Sequence, residues 1–208
     1  MAPPADEPAA EPASEAPPGG ALGRLLASLG PDAPRRGLPP VERWNPPYCG
    51  EIDMRIAADG SWHYNGSPIA RPALVRLFST VLRRDPERFV LVTPVERVGI
   101  AVEDLPFLAV EMAVEGEGDA RQIAFRTNVD DVVRVGPEHP LRFERDAHDG
   151  VKPAVRVRGD LWARVTRALA LDLVGLGEER EVEGRALYGV AAEGAFFPIA
   201  PAAEIEGA

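Results

Sequence analysis

The sequence predicts an α+β protein built from two repeated units, each with antiparallel strands and one helix. A hairpin pattern around residues 59–60 is followed by an amphipathic helical pattern and then by short apolar strands. A similar order of elements returns 90 residues later, around residues 149–150, and at this offset Gly99 falls on Gly189. Matching elements at a fixed offset indicate an internal duplication.

The first 49 residues are predicted to precede this repeated core. Residues 1–20 hold six Pro, six Ala and four acids without a base, so they are predicted to form a disordered tail. Residues 21–49 are predicted to contain one short helix, with leucines at positions 22, 25, 26 and 29, and a Pro-rich linker. The first α+β unit is predicted at residues 50–118 and the second at residues 119–208.

The first unit is predicted to open with a hairpin, because Ile52, Met54 and Ile56 alternate with polar residues before the turn. A helix is predicted to follow, beginning near Pro72, where a missing N–H costs nothing, and ending at residues 85–86, an Asp-Pro pair. The segments RFVLVTP, RVGIAVED and FLAVEM predict three strands after this helix.

The second unit is predicted to contain strands at RQIAFRTN and DDVVRVG and a hairpin in LRFERDAHDGVKPAVRVRG. A helix is predicted over DLWARVTRALALDLV, with Asp160 as its N-cap, and further strands are predicted in EGRALYGVAAEGAFFPI. An alternative division exists, because residues 88–158 are nearly all strand and one helix follows. That order resembles a pleckstrin-homology-like barrel, so the C-terminal half is predicted to be loosely of this type.

Composition excludes several classes of function. The net charge of −10 disfavours binding to a nucleic-acid backbone, which depends on basic residues. No apolar run reaches the roughly 18 residues that a membrane span needs, and the N-terminus lacks the pattern of a secretory signal. Cys49 is the only cysteine, which excludes an internal disulfide and fits a reducing compartment. The protein is therefore predicted to be cytoplasmic.

No catalytic motif stands out, so a non-enzymatic protein without metal or cofactor is predicted. The chain has no G-x-S-x-G, no Walker A motif and no G-x-G-x-x-G. Cys49 lies in a Pro-rich turn without a thiol-enzyme signature around it. The weakest alternative is an unrecognised hydrolase that uses His139 with Asp130 or Asp131 for acid–base chemistry.

The arginines are the main candidates for binding, since the chain has 22 Arg but one Lys, Lys152. Arg76 and Arg83 are predicted on one face of the first helix, and Arg164 and Arg167 on the second helix. If the two halves face each other, these side chains would converge on an anion. The alternative is that they are solvated and form surface ion pairs.

Four segments together resemble a bacterial family, domain of unknown function 1285: NPPYCGEIDMRIAADGSWHYNGSPIARPALVRLFSTVLRRD, LVTPVE, GIAVEDLPF and HPLR. The resemblance spans most of residues 45–175. It implies a duplicated α+β core and a site between the halves for a nucleotide-like ligand with a role in signalling. Ala154 stands where the family pattern has an aromatic residue, which weakens an aromatic stacking platform there.

The leading hypothesis is a regulatory or signalling protein that binds a small anionic, nucleotide-like ligand between its two halves. Arginines would hold the anion, and Trp62 or Trp162 would stack on a base. The predicted ligand-binding residues are Trp62, Arg71, Arg76, Thr93, Glu96, Thr127, His139, Arg142, Arg158, Trp162 and Arg164. The alternative is a protein-interaction module that takes a partner peptide on a sheet edge or on the pleckstrin-homology-like barrel.

Overall fold

The structure is a computed structural model that describes residues 38–146 and 150–205. The predicted tail at residues 1–20 and the predicted helix at residues 22–29 lie outside the described residues. The same holds for the first part of the linker, up to residue 37, and for His148 and Asp149 of the second predicted hairpin.

The first half forms a six-stranded curled sheet, sheet 1, in the order β3-β2-β1-β6-β5-β4. Its central strands, β1 and β6, are parallel, and every other neighbouring pair is antiparallel. A helix, α1, connects the two outermost strands. The elements are β1 (Tyr48–Ile56), β2 (Trp62–Tyr64), β3 (Ser67–Pro68), α1 (Pro72–Thr80), β4 (Leu82–Asp85), β5 (Arg88–Val92) and β6 (Arg97–Val102).

The second half forms a second six-stranded curled sheet, sheet 2, in the order β10-β11-β12-β7-β8-β9. Again the first and last strands, β7 and β12, are parallel neighbours at the centre. The elements are β7 (Phe107–Glu115), β8 (Gln122–Thr127), β9 (Val132–Arg134), β10 (Leu141–Arg145), β11 (Val151–Arg158) and β12 (Leu161–Val165).

The two sheets share one topology, which confirms the predicted duplication. In each sheet the chain starts at the centre, adds two strands outward, crosses to the far edge and returns to the centre. The predicted offset of 90 residues is wrong, because the first strands begin at Tyr48 and Phe107. The turn at Gly60 joins β1 to β2, whereas Gly150 precedes β11, so these two turns are not equivalent. The sheets divide the chain between Val102 and Phe107, N-terminal to the predicted division at residue 118.

A third, three-stranded sheet closes the C-terminal half. Sheet 3 consists of β13 (Glu178–Val182), β14 (Arg185–Ala192) and β15 (Ala195–Pro201), and it follows helix α2 (Arg167–Gly175); a short helix, α3 (Ala202–Ile205), ends the described chain. The β14–β15 turn is hydrogen-bonded to the β7–β8 connection, since the N–H of Glu193 donates to Arg121 O at 2.9 Å. Arg180 on β13 also pairs with Asp119 in the β7–β8 connection, at 2.8 Å. Sheet 3 is therefore fixed to sheet 2.

The fold is mostly β, which corrects the balance expected for an α+β protein. Fifteen strands and three α-helices make up the described part of the chain. The helices also occupy different positions in the repeat, because α1 lies between β3 and β4 while α2 follows β12. The pleckstrin-homology-like character of the second half stays a prediction. Within the described residues, no helix has the length and apolar character needed to cross a membrane.

Buried side chains form one apolar core that runs through all three sheets. The largest of them include Trp62, Phe78, Phe107 and Phe125, and Phe197 brings sheet 3 into the same cluster. Trp62 and Phe78 stack with 6.2 Å between ring centroids, which packs α1 against sheet 1. Burial of each such side chain contributes roughly 2–3 kcal/mol, so the sheets stabilise one another through this core.

The first predicted helix is too long at its C-terminal end. Helix α1 stops at Thr80, where the hydroxyls of Ser79 and Thr80 donate to the carbonyls three residues earlier, at 2.8 and 2.7 Å. Such hydroxyls compete with the helical backbone pattern and favour its end. The Asp-Pro pair at 85–86 marks the β4–β5 hairpin instead, and Arg83 lies in β4 rather than on the helix.

The second predicted helix begins too early. Residues Leu161–Val165 form strand β12, in which Leu161, Ala163 and Val165 are buried and the residues between them are half-buried. This period of two was present in the sequence and is typical of a strand. The N-cap of α2 is Thr166 rather than Asp160, so Arg164 lies on a strand and Arg167 on the helix.

Arg83 attaches the N-terminal described segment to sheet 1. Its side chain is 8% exposed. The guanidinium donates to Val41 O at 2.8 Å, to Trp44 O at 2.7 Å and to the carboxylate of Asp85 at 2.8 Å. Loss of this group would leave two carbonyls without a buried donor, and Asp85 would keep only its bond to Arg97, which is costly.

We predict that Arg83→Ala lowers the free energy of unfolding by about 3 kcal/mol, the usual cost of breaking a buried ion pair. The matched control is Arg84→Ala. Arg84 is the neighbouring half-buried arginine, stacked at 4.5 Å on Phe89, and its removal should cost less than about 1 kcal/mol. Urea unfolding followed by tryptophan fluorescence measures both values. Equal losses in the two variants would contradict a fastening role for Arg83.

Candidate functional site

Two consecutive carboxylates in the linker between β6 and β7 hold the two halves together. Glu103 bonds to sheet 1, accepting from the N–H of Ala58 at 2.9 Å and from Arg55. Asp104 bonds to sheet 2, accepting from Nε and Nη2 of Arg164 at 2.9 and 2.8 Å. The backbone hydrogen bond from Ala58, followed by the one from Arg55, lowers the pKa of Glu103 below its ordinary value.

Gly60 is a second point of close approach between the halves. It has a positive φ of 79° and lies against sheet 2. A Cβ at this position would stand 2.7 Å from Nδ2 of Asn128 and 3.0 Å from Leu108 Cδ1. The side chain of Asn128 donates to Gly60 O at 3.3 Å and accepts from the N–H of Leu108 at 3.0 Å. Only glycine fits both the backbone angle and this contact.

Arg158 and Arg76, which were predicted to hold an anion, both pair with carboxylates and both bond across the interface, Arg158 to a carbonyl and Arg76 to a carboxylate. Arg158 donates to Ser79 O at 2.6 Å and pairs with Asp131, and its guanidinium lies 5.0 Å from the Phe107 ring. Arg76 pairs with Asp130. Both arginines therefore join sheet 1 to sheet 2.

A small cavity of about 340 Å³ brings together two of the predicted residues, Trp62 and Arg76. It lies between α1 and the β8–β9 turn, and Asp130 also lines it. Asp130 pairs with both Arg76 and Arg126, and Arg126 also pairs with Glu111, so the charges around this cavity compensate one another. Arg71, the N-cap residue of α1, already has an interaction partner.

Thr93 and Thr127 stabilise tight turns. Thr93 Oγ1 accepts from the N–H of Glu96 at 3.2 Å, and Thr127 Oγ1 accepts from the N–H of Asp131 at 3.0 Å. Both threonines are fully buried. Glu96 is 9% exposed, in the β5–β6 turn of sheet 1. The two threonines therefore have a structural role in these turns.

The remaining predicted residues on sheet 2 lie away from Trp62 and Arg76. His139 Nδ1 lies 3.0 Å from Arg156 O. The guanidinium of Arg142 stacks 4.3 Å from the ring of Trp162, whose indole N–H donates to Asp160 at 3.2 Å. The two tryptophans that were predicted as alternative stacking platforms thus lie at different places, one in the core and one on the outer face of sheet 2.

The guanidinium of Arg164 is hydrogen-bonded to carboxylates and a carbonyl of the protein itself. Besides the bidentate pair with Asp104, it donates to Glu144 at 2.8 Å and to Lys152 O at 3.1 Å, and its side chain is 12% exposed. The hydrogen bonds from Arg164 lower the pKa of Asp104, and those to Asp104 and Glu144 raise the pKa of Arg164. Arg164 therefore shapes the site and holds the linker.

A groove of about 840 Å³ lies between α2, strands β11 and β12, and the linker. One face of α2 forms a wall of this groove. Residues from both halves meet here, since Ala58 belongs to the first half. The lining residues are Ala58, Asp104, Leu108, Asp146, Gly150, Val151, Lys152, Pro153, Arg164, Val165, Thr166, Arg167, Ala170, Leu171 and Val174.

Of the three cations that line this groove, Arg164 is paired, and the other two have no ion pair or side-chain hydrogen bond among the described residues. They are Lys152 and Arg167, both exposed. The register of β11 and β12, in which Ala154 lies opposite Arg164, places Lys152 opposite Thr166. Lys152 therefore lies beside the amino end of α2. Asp146, a further acid of the lining, accepts from the N–H of Gly150 at 2.9 Å.

The amino end of α2 adds backbone donors to these cations. The first helical hydrogen bond runs from the N–H of Ala170 to Thr166 O at 2.8 Å, so the N–H groups of residues 167–169 have no helical acceptor. The Thr166 side chain makes no capping hydrogen bond, and the first turn of α2 has no acidic residue. This arrangement favours an anion.

The sequence analysis listed Arg164 of this groove as a ligand-binding residue but not Lys152 or Arg167. It placed Arg167 among the arginines that would converge on an anion, and it noted Lys152 only as the single lysine. Since the two residues lie on different elements, no spacing in the sequence joins them. Whether these two cations can bind a ligand depends on the carboxylates that lie near them. Only the tertiary structure determines those neighbours.

Comparison with known proteins assigns a family. Two family models match: the N-terminal domain of DUF1285, a domain of unknown function, at residues 39–105, and its C-terminal domain at residues 106–199. Their common boundary falls in the linker between sheet 1 and sheet 2. The resemblance seen in the sequence is confirmed. None of the curated proteins matches the chain.

Two solved structures are similar to the chain. A DUF1285 family protein from Silicibacter pomeroyi DSS-3 is 45% identical, covers 88% of this chain and 97% of its own, and superposes with a TM-score of 0.76. A DUF1285 family protein from Shewanella baltica OS155 is 22% identical, covers 60% of this chain and 92% of its own, with a TM-score of 0.48.

We predict that Asp104→Asn lowers the free energy of unfolding by about 1 kcal/mol at neutral pH, a modest value because Asp104 is partly solvated. The folded-state pKa of Asp104 is lowered, so its stabilising effect is present above the ordinary pKa of 3.8 and is lost as pH falls toward the lowered value.

The measurement is the difference in unfolding free energy between the wild type and Asp104→Asn, taken from neutral pH to below about pH 4. The control is Asp53→Asn, at an exposed carboxylate on β1. A difference that stays constant through the acid range, or one no larger than in the control, would contradict the assigned role of Asp104.

Proposed function

Because the chain belongs to the DUF1285 family, whose description assigns no activity, we propose a function from the groove. The protein binds a small anionic ligand beside α2, at the junction of its two halves, and acts through this binding in a regulatory or signalling role in the cytoplasm. It acts as a binding protein, without turning the ligand over.

The observation that carries this proposal is that two cations on one groove, Lys152 and Arg167, have no ion pair within the part of the chain that the structure describes. Most other guanidinium groups named above already bond to a carboxylate or a carbonyl of the protein, as Arg164 does. The groove also falls within the range of about 300–1,000 Å³ that is usual for small-molecule sites. An anion here would gain contacts that the protein itself leaves unused.

The site differs from the one expected for a nucleotide-like ligand. Neither Trp62 nor Trp162 lines the groove, so a base would find no indole ring to stack on. The alternative function, strand addition of a partner peptide, has less support. The edge strands β3 and β9 are two and three residues long, which gives a peptide few backbone groups to pair with there. The other edge strands, β4, β10, β13 and β15, have four to seven residues, but no feature of theirs specifies a peptide partner.

We predict that the double variant Lys152→Ala/Arg167→Ala weakens binding of a groove anion by about tenfold or more, since each charge-assisted contact contributes about 1.5–3 kcal/mol. The melting temperature without ligand should stay close to that of the wild type, because both side chains are exposed. The probes are inorganic phosphate, citrate, AMP and decanoate, measured by thermal shift and titration calorimetry.

The matched control is Arg43→Ala/Arg134→Ala, which removes the same charge from two exposed arginines outside the groove. Saturable binding that is lost only in the groove variant supports the proposal. It is overturned if none of the four anions binds to the wild type, or if both double variants bind an anion equally well.

A further inference from the structure

We propose that the ligand is a single-chain aliphatic anion, with a carboxylate or phosphate head and an unbranched hydrocarbon tail. This inference rests on the proposed function, because it takes the groove as the binding site. It adds the chemical class of the ligand, which the anion proposal alone leaves open.

The groove is polar at one end and apolar along its length. Four residues on one face of α2 line it, namely Arg167, Ala170, Leu171 and Val174. Their spacing of three, four and seven residues places them in one row along the helix. Arg167 lies at the amino end of this row and Val174 about 10 Å further along the axis. A head group at Arg167 therefore directs a tail along the helix toward Val174.

The wall opposite α2 is likewise polar at one end and apolar along the rest of its length. Lys152 lies beside the amino end of α2, as the strand register shows, so both unpaired cations fall at one end. Leu108, Val165 and the ring of Pro153 supply apolar surface from sheet 2. Val165 is 3% exposed and forms part of the core, which gives this wall a fixed shape.

The apolar surface reaches the rim of the groove at Leu171, which is 72% exposed and thus the most exposed large apolar side chain in the described residues. A single exposed leucine is ordinary. Leu171, however, is continuous with the half-buried Val174 and the buried Ala170 on the same helical face. A hydrocarbon tail in the groove would cover this row and exclude water from it.

The side chains that line the groove are aliphatic where they are apolar, and none of them is aromatic. Flat aromatic ligands gain specificity by stacking on aromatic rings, whereas a hydrocarbon chain needs only aliphatic contact area. Charge complementarity then selects the head. Two cations and the backbone N–H groups of the first turn of α2 suit a carboxylate or a phosphate.

The test is a homologous series measured with the full chain. Hexanoate, octanoate and decanoate are titrated by calorimetry, together with decyl phosphate, decanol, AMP and inorganic phosphate. We expect the affinity to rise about fourfold for each methylene group that becomes buried. We expect decanoate or decyl phosphate to bind at least about tenfold more tightly than decanol, which has the tail without the charge.

A variant on the rim separates groove binding from unspecific adsorption. Leu171→Asp places a negative charge on the predicted path of the tail and should weaken decanoate about tenfold or more. The matched control is Val95→Asp, which makes the same kind of change at a turn residue of sheet 1 that is 65% exposed. Both sites are exposed, so both variants should fold.

Each outcome separates the two proposals. Rising affinity with chain length that is lost in Leu171→Asp but kept in Val95→Asp supports the aliphatic ligand. Anions that bind through Lys152 and Arg167 without any effect of chain length, or AMP binding more tightly than decanoate, would overturn the aliphatic ligand and leave the anion site standing. Decanol binding as tightly as decanoate would overturn the aliphatic anion, because the charged head would then contribute nothing, whereas the anion site is overturned only if no anion depends on Lys152 and Arg167.

Discussion

The pairing of the linker carboxylates Glu103 and Asp104 with opposite halves of the molecule is the constraint on which the candidate site depends. Glu103 holds the turn after β1 through the N–H of Ala58, and Asp104 holds β12 through Arg164. Because the two acids are adjacent, their hydrogen bonds hold the end of sheet 1 beside the end of sheet 2. Ala58, Asp104 and Arg164 all line the groove, so the same contacts that join the halves also form its walls.

The need to join separate parts of the fold explains why arginine, rather than lysine, lies at these junctions. A planar guanidinium bonds several oxygens at once, which suits Arg164, Arg158 and Arg83 at junctions where a carboxylate and a carbonyl must be satisfied together. Lys152 makes no such contact among the described residues. Its side chain therefore remains available at the groove, although it lies near enough to Asp104 to help lower the pKa of that acid, after the larger effect of Arg164.

The sequence predicted the first hairpin because it depends on a local signal, the alternation of Ile52, Met54 and Ile56 before Gly60. It predicted a duplication at the wrong offset, because the repeat is one of strand order and leaves no matching turn residues at a fixed spacing. It misplaced helix ends where a short strand follows or precedes a helix, as at Arg83 and Arg164, since neighbouring strands determine those boundaries. The site was harder to predict. Whether an arginine is available to a ligand depends on the carboxylates around it, and these come from distant parts of the chain, as Asp104 and Arg164 illustrate.

The overall charge of the protein bears on the kind of anion that the groove can hold. With a net charge of −10, the molecule repels anions at long range, and salt screens this repulsion only beyond about 8–10 Å. A ligand with several negative charges is repelled strongly, because the two cations of the groove compensate the negative potential of the protein only in their own vicinity. Affinity must then come from contacts at short range, and the burial of hydrocarbon is independent of charge. An anion with one small head and an apolar tail is the ligand class that combines the lowest repulsion with the largest contact energy along α2.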